Sequence, residues 1–206
     1  LDLGQASDYT ALAILEKLKA DGESVYHVRR LERTRGTTYP DIVDKVAAMV
    51  RSSSLAGNAA LVVDQTGVGA PVVDLFRKAG LRPVGILIHG GDKANYEGSA
   101  WRVPKRDLVG MLQVLLQNGQ LKISLKLKLA QILSGEMLNF RVKIDSRTAH
   151  DSYSAWREDD HDDLLLATAL AAWYGERSRP RHSFKPPSQA VAYPNTHLVG
   201  RTERNA

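Results

Sequence analysis

The 206-residue chain reads as an α/β protein: a mixed sheet, three antiparallel strands followed by parallel ones, with helices on both faces. Three observations point there. The first 32 residues show strand-like alternation of apolar and polar side chains. Two short, wholly apolar runs at 59–63 and 83–88 read as central strands covered on both faces. Helical segments follow each of them, so strands and helices alternate.

Taken in order, 1–4 is the end of a first strand, 9–18 alternates as a second, although its Leu-Glu-Lys-Leu-Lys also suits a helix, and 24–32 is a third, rich in β-formers. Asp21-Gly22 makes the turn between the last two. Pro40 opens a helix whose apolar face is Ile42, Val43, Val46, Ala47, Met49 and Val50. The 59–63 strand runs into Asp64. Pro71 starts a second helix, stopped by Gly80. The 83–88 strand leads into a glycine-rich loop at 90–99. A helix over 104–118 carries Leu108, Met111, Leu112, Leu115 and Leu116 on one side. Residues 122–129 alternate Lys with Ile or Leu and suit a strand or a helix start. Residues 139–145 alternate and 152–156 return, which predicts a β-hairpin. A last apolar helix spans 162–176.

The chain has no cysteine, which excludes disulfides and thiolate metal sites. No apolar run is long enough to cross a bilayer, and there is no signal-peptide pattern. The chain starts at Leu1 inside an apolar-acidic motif and reads as a fragment of a longer protein. Its net charge of +5 is local. Residues 177–206 hold six Lys/Arg and one Glu, so they carry the whole excess. They also hold four of the eight prolines, without periodicity, and read as a flexible basic extension. The domain is therefore 1–176 and the extension 177–206.

Asp2 and Asp64 each end an apolar strand and are followed by glycine, at Gly4 and at Gly67 and Gly69. Ligand sites in open α/β sheets collect at such strand ends. One Asp there is ordinarily a turn former; two on neighbouring strands point to function. Glu158-Asp159-Asp160-His161-Asp162-Asp163 places five acids in six positions before the last helix. Capping uses one or two of them, and the repulsion among the rest calls for a cation. Hard divalent ions take carboxylate oxygens. Three converging acidic elements suit two such ions about 3.5–4 Å apart, as in in-line phosphodiester cleavage. Lys105 and Arg106 open a helix where phosphate can bind. Arg141, Lys143 and Arg147 lie on the predicted hairpin, within reach of a DNA backbone. For Lys105 and Arg106 a solvated helix end is an equal reading, and for Arg141, Lys143 and Arg147 the alternative is exposed hairpin charge.

In their order, Asp2-Leu3-Gly4, Val63-Asp64-Gln65-Thr66-Gly67-Val68-Gly69 and His161-Asp162-Asp163-Leu164-Leu165 resemble the C-terminal nuclease domain of the large terminase subunit of tailed bacteriophages, over residues 1–176. The resemblance implies an RNase-H-like fold. It implies an endonuclease that cuts double-stranded viral DNA concatemers during packaging with Mg²⁺ or Mn²⁺, two ions expected. Asp2, Asp64, Asp162 and Asp163 would be its metal-ligating catalytic residues. Neighbouring helix positions point about 100° apart, so one of the pair would face a given ion squarely. Which of them is the main ligand stays open, with Asp163 preferred because Asp162 lies nearer the cap position. The implied partners are double-stranded DNA and, in the whole protein, an ATPase domain, a small terminase subunit and the portal, in the host cytoplasm. No GxxxxGK[ST] motif is present, so the ATPase motor is not in this fragment.

Three other readings stay open. The closest enzyme alternative is another RNase-H-like nuclease (a resolvase, a transposase or RNase H), which would share the metal chemistry and differ in substrate. Asp-Leu-Gly and Asp-Gln-Thr-Gly-Val-Gly also suit phosphate turns of an actin- or sugar-kinase-like ATP-binding module. A non-catalytic packaging module would use its acids only structurally.

Overall fold

Asp21 and Gly22 both take positive φ, 52° and 86°, the backbone that a two-residue hairpin turn needs. They join β1 (Tyr9–Ala20) to β2 (Glu23–Arg35), two long antiparallel strands. The computed structural model describes residues 1–4, 8–67, 69–145 and 162–178.

Residues 1–3 form the seam of the sheet. Asp2 exchanges both backbone hydrogen bonds with Ala11 of β1, each 2.9 Å. On the other side the Leu1 nitrogen donates to Val62 O at 2.8 Å, and Asp64 N donates to Leu1 O at 2.9 Å. That is the bonding of a parallel pair, made with β3 (Val62–Asp64). β3 pairs in parallel with β4 (Val84–His89), and β4 with β6 (Ala100–Pro104). β5 (Asn95–Glu97) runs antiparallel to β6 at one edge, and β7 (Leu121–Ile123) runs parallel to β2 at the other. The order across is β7-β2-β1, the 1–3 segment, then β3-β4-β6-β5.

The helices are α1 (Tyr39–Val50), α2 (Gly69–Lys78), α3 (Lys105–Gln117), α4 (Ala130–Asp145) and α5 (Asp163–Arg177). On one face α1 and α2 bury Ile42, Val43, Val46, Val72 and Phe76 against Leu1, Leu3 and Val63. On the other, α3, α4 and α5 pack on Ala11, Ala13, Tyr26, Val28, Leu31, Val62, Ile86 and Val103. α5 is apolar nearly all round: every residue from Leu164 to Leu170 is buried, as is Trp173, which marks a core helix. Trp173 meets Trp101 edge-on at 5.5 Å. Gly175 allows the close approach to the sheet, because a Cβ there would lie 2.7 Å from the Tyr26 ring.

Two expectations fail. The glycine-rich loop contains β5, and β6 follows it where only the lead-in to α3 was expected. All three β5 residues are exposed, so no alternation announces them. The predicted hairpin is also wrong at its first strand, because 139–145 continue α4. Ala130 and Leu133 are buried one turn apart. Once that turn exists, each further residue adds a hydrogen bond at little cost, and this outweighs a short local alternation. The expected return strand at 152–156 and the acids at 158–160 lie outside the described residues, as does the basic extension beyond Ser178. Arg177, expected to begin that extension, closes α5 and stacks on the Trp173 ring at 3.8 Å. Among the described residues no helix is long and apolar enough to cross a membrane.

Candidate active site

Strand alternation aims the two strand carboxylates. Successive side chains point to opposite faces. Leu1 and Leu3 belong to the α1/α2 core, so Asp2 points to the α5 side. Val63 belongs to that same core and Val62 to the α5 core, so Asp64 also points to the α5 side. The seam makes their strands neighbours. Gly4 permits a close approach to the start of β1, since a Cβ would collide with the Tyr9 backbone. Asp64 is held by a local turn: Thr66 N donates to its Oδ1 at 2.8 Å and the Thr66 hydroxyl at 2.5 Å. Ile88 N in turn donates to the Thr66 hydroxyl oxygen at 2.7 Å.

A third strand contributes Arg33, through a bulge. Tyr26 and Val28 face α5, and simple alternation would send Leu31 and Arg33 the other way. The pairing shifts between Ile14↔Arg30 and Leu15↔Val28, which leaves Arg29 unpaired. The extra residue reverses the parity of the strand beyond it. Leu31 therefore packs in the α5 core and Arg33 reaches the start of α5.

The acidic pair stands there. Acids at a helix N-terminus are favoured by its partial positive charge. Asp163 Oδ2 accepts from Arg33 Nη2 at 2.6 Å and from Nε at 3.1 Å. Asp162 Oδ2 accepts from Lys105 Nζ at 3.0 Å. Asp162 occupies the N-cap position, as expected, but its side chain makes no capping hydrogen bond. Glu136 of α4 makes one instead, accepting from Leu165 N at 2.8 Å.

Lys105 thus lies inside the acidic cluster. Arg106 is about half exposed and pairs with Asp92, Nη1 to Oδ1 at 2.9 Å. Arg141 and Lys143 ride on a helix rather than on a hairpin strand. Arg147 lies outside the described residues.

The charges are unevenly compensated. Burial, then the charges of Asp64, Asp163 and Asp162, push the Asp2 carboxyl well above the usual carboxylate range. Burial also raises Asp64, against the opposing hydrogen bonds from Thr66. Burial lifts Glu136 to about 7, opposed by its bond from Leu165 and by Arg33. Among the described residues no three carboxylates or imidazoles close into a metal-holding group. Asp162 and Asp163 are bound to Lys105 and Arg33 instead, while Asp2 and Asp64 repel each other. An all-oxygen donor set strained by its own charge fits a hard divalent cation, and the two side-chain cations offset part of that charge.

Sequence reasoning missed Arg33 and Glu136. Arg33 is one of several basic residues on a polar strand, and only the bulge selects it. Glu136 lies in a stretch with no acidic neighbour in sequence.

An RNase-H-like mixed sheet, with carboxylates at the ends of adjacent central strands and at the start of a core helix, defines the class of fold. The chain shares it with the large terminase nuclease from thermophilic phage G20c: TM-score 0.53 at 20% identity, over 82% of this chain and 77% of that one. A second structure of that nuclease, with bound cobalt, aligns with TM-score 0.50 at 22% identity, over 81% of this chain and 84% of the other. No protein-family model and no curated protein matches the sequence.

Proposed function

We propose that the chain is the nuclease domain of a phage packaging terminase. It is a Mg²⁺- or Mn²⁺-dependent endonuclease that cleaves double-stranded viral DNA concatemers in the host cytoplasm. The carrying observation is the pair Asp2 and Asp64, aimed to one side by neighbouring strands and held at mutual repulsion beside Asp162 and Asp163. The likeness to a terminase nuclease, one structure of which holds cobalt, supports the reading.

Asp2, Asp64 and Asp163, with Asp162 beside them, would hold two ions, which when bound supply an activated water and neutralise charge on the phosphate. The chain's own groups do the positioning. Thr66 fixes the direction of the Asp64 carboxylate. Arg33 and Lys105 pair with the helix carboxylates and offset part of the charge of the cluster. Lys105, Arg106, Arg141, Lys143 and Arg147 are proposed contacts to the DNA backbone, which carries no sequence information directly. In the whole protein an ATPase domain, a small subunit and the portal would deliver the DNA.

Digestion of supercoiled plasmid tests this. Cutting is expected with Mn²⁺ or Mg²⁺, with ends mapping broadly, and none in EDTA. Undiminished cutting in EDTA would overturn the reading. A strong preference for branched DNA or RNA–DNA hybrid would move the chain to another RNase-H-like nuclease.

A further inference from the structure

Glu136 caps a helix that is not its own. A helix N-terminus leaves its first amides without intrahelical partners, and the N-cap side chain usually serves the second or third of them. In α5 the third is Leu165 N, and Glu136 Oε2 takes it from α4. The Glu136 side chain is only 5% exposed. Its other oxygen, Oε1, has no hydrogen-bond partner among the described residues and lies 3.9 Å from Arg33 Nη1. The Arg33 guanidinium, stacked over the Tyr9 ring at 3.9 Å, also grips Asp163 through Nη2 and Nε. One guanidinium is therefore shared between a carboxylate of α4 and one of α5.

We infer that Glu136 is a positioning residue for Asp163: it relieves Asp162 of capping and shares the charge of Arg33, so that Asp163 is not the sole counter-ion of that guanidinium. The inference rests on the proposal that Asp163 serves a metal site. With Glu136 neutral, Arg33 would be balanced by Asp163 alone and would compete more strongly with an incoming ion. With Glu136 ionised, part of the guanidinium charge is met from α4, and the Asp163 carboxylate is easier to recruit.

Glutamine at 136 keeps an acceptor for Leu165 N and loses the charge, while alanine loses both. Two measurements separate the roles. Amide hydrogen exchange at Leu165, on metal-free protein, is expected to speed up in Glu136→Ala and stay slow in Glu136→Gln. Unchanged protection in Glu136→Ala overturns the cap. Calorimetric titration of Mn²⁺ is then run on wild type, Glu136→Gln, Arg33→Met and the double variant. Glu136→Gln is expected to weaken Mn²⁺ about 10-fold in the wild-type background, the size of effect typical of groups that orient a ligand. It is expected to have no further effect in the Arg33→Met background, the non-additivity of residues that act through one another. The same loss in both backgrounds overturns the inference while leaving the metal site standing. Absence of Mn²⁺ binding by the wild type instead overturns the metal reading, and the positioning role with it.

Discussion

The two halves of the acidic cluster solve the same electrostatic problem differently. The helix acids come with counter-ions: Arg33 for Asp163 and Lys105 for Asp162. The strand acids have no such ion pair among the described residues. Asp64 has the hydrogen bonds of Thr66 and feels the charges of the Leu1 ammonium and Lys105 without pairing with either, and the Asp2 carboxyl is driven upward by burial and by its acidic neighbours. An unpaired carboxylate kept at a half-buried strand end costs stability, and a cation from outside removes that cost. The helix half is set for structure in the metal-free protein. On the proposed function, the strand half is the part that a bound cation would relieve.

Removing charge from the two halves is therefore expected to give opposite results. The largest effect is on cutting. Asp2→Asn or Asp64→Asn is expected to lower plasmid cleavage by more than about 100-fold, beyond the range for groups that merely orient a ligand. In EDTA these variants should melt at the wild-type temperature or above it, because repulsion has been removed. A lower melting temperature would mean that the strand acids carry structural bonds.

The helix acids should behave the other way. Asp163→Asn removes the main partner of a guanidinium that is only 13% exposed. It is expected to cost about 1–3 kcal/mol of stability in the metal-free protein, read by thermal melting. Asp162→Asn breaks a more exposed pair with Lys105, and solvent screening reduces its cost to below about 1 kcal/mol. Equal losses for the two would show that exposure does not set the strength of these pairs.

Sequence patterns carried the strand half well and the helix half poorly, for a physical reason. Apolar runs ending in Asp-x-Gly and Asp-x-x-Gly mark strand ends directly, and period-two alternation then sends Asp2 and Asp64 to one face. The partners of the helix acids depend on tertiary events. Arg33 faces the cluster only because Arg29 bulges out of the β1–β2 ladder. Glu136 reaches Leu165 only because α4 continues where alternation at 139–145 resembles a strand. Capping by Asp162 was the natural local reading, and a residue 26 positions away in sequence took the role. Residues 1–3 are too short to show any periodicity, yet they join the two halves of the sheet.

A smaller effect sharpens the same contrast through pH. Burial lifts Glu136 from 4.5 to about 7, so its folded-state value lies above its unfolded one. Its contribution to stability is then full below about 4.5 and is lost as pH rises through about 7. Asp2 and Asp64 shift in the same direction. The metal-free protein is expected to melt at a lower temperature at pH 8 than at pH 5. Glu136→Gln should flatten that slope between pH 4.5 and 7. An unchanged slope in the variant would place the pH dependence on the strand acids alone.

The central claim is that the strand carboxylates await a divalent cation. Calorimetric titration of Mn²⁺ into wild type and Asp2→Asn tests it most directly. Saturable binding by the wild type, lost in a variant that is folded by circular dichroism, is the expected result. Equal Mn²⁺ binding by both proteins would contradict the account.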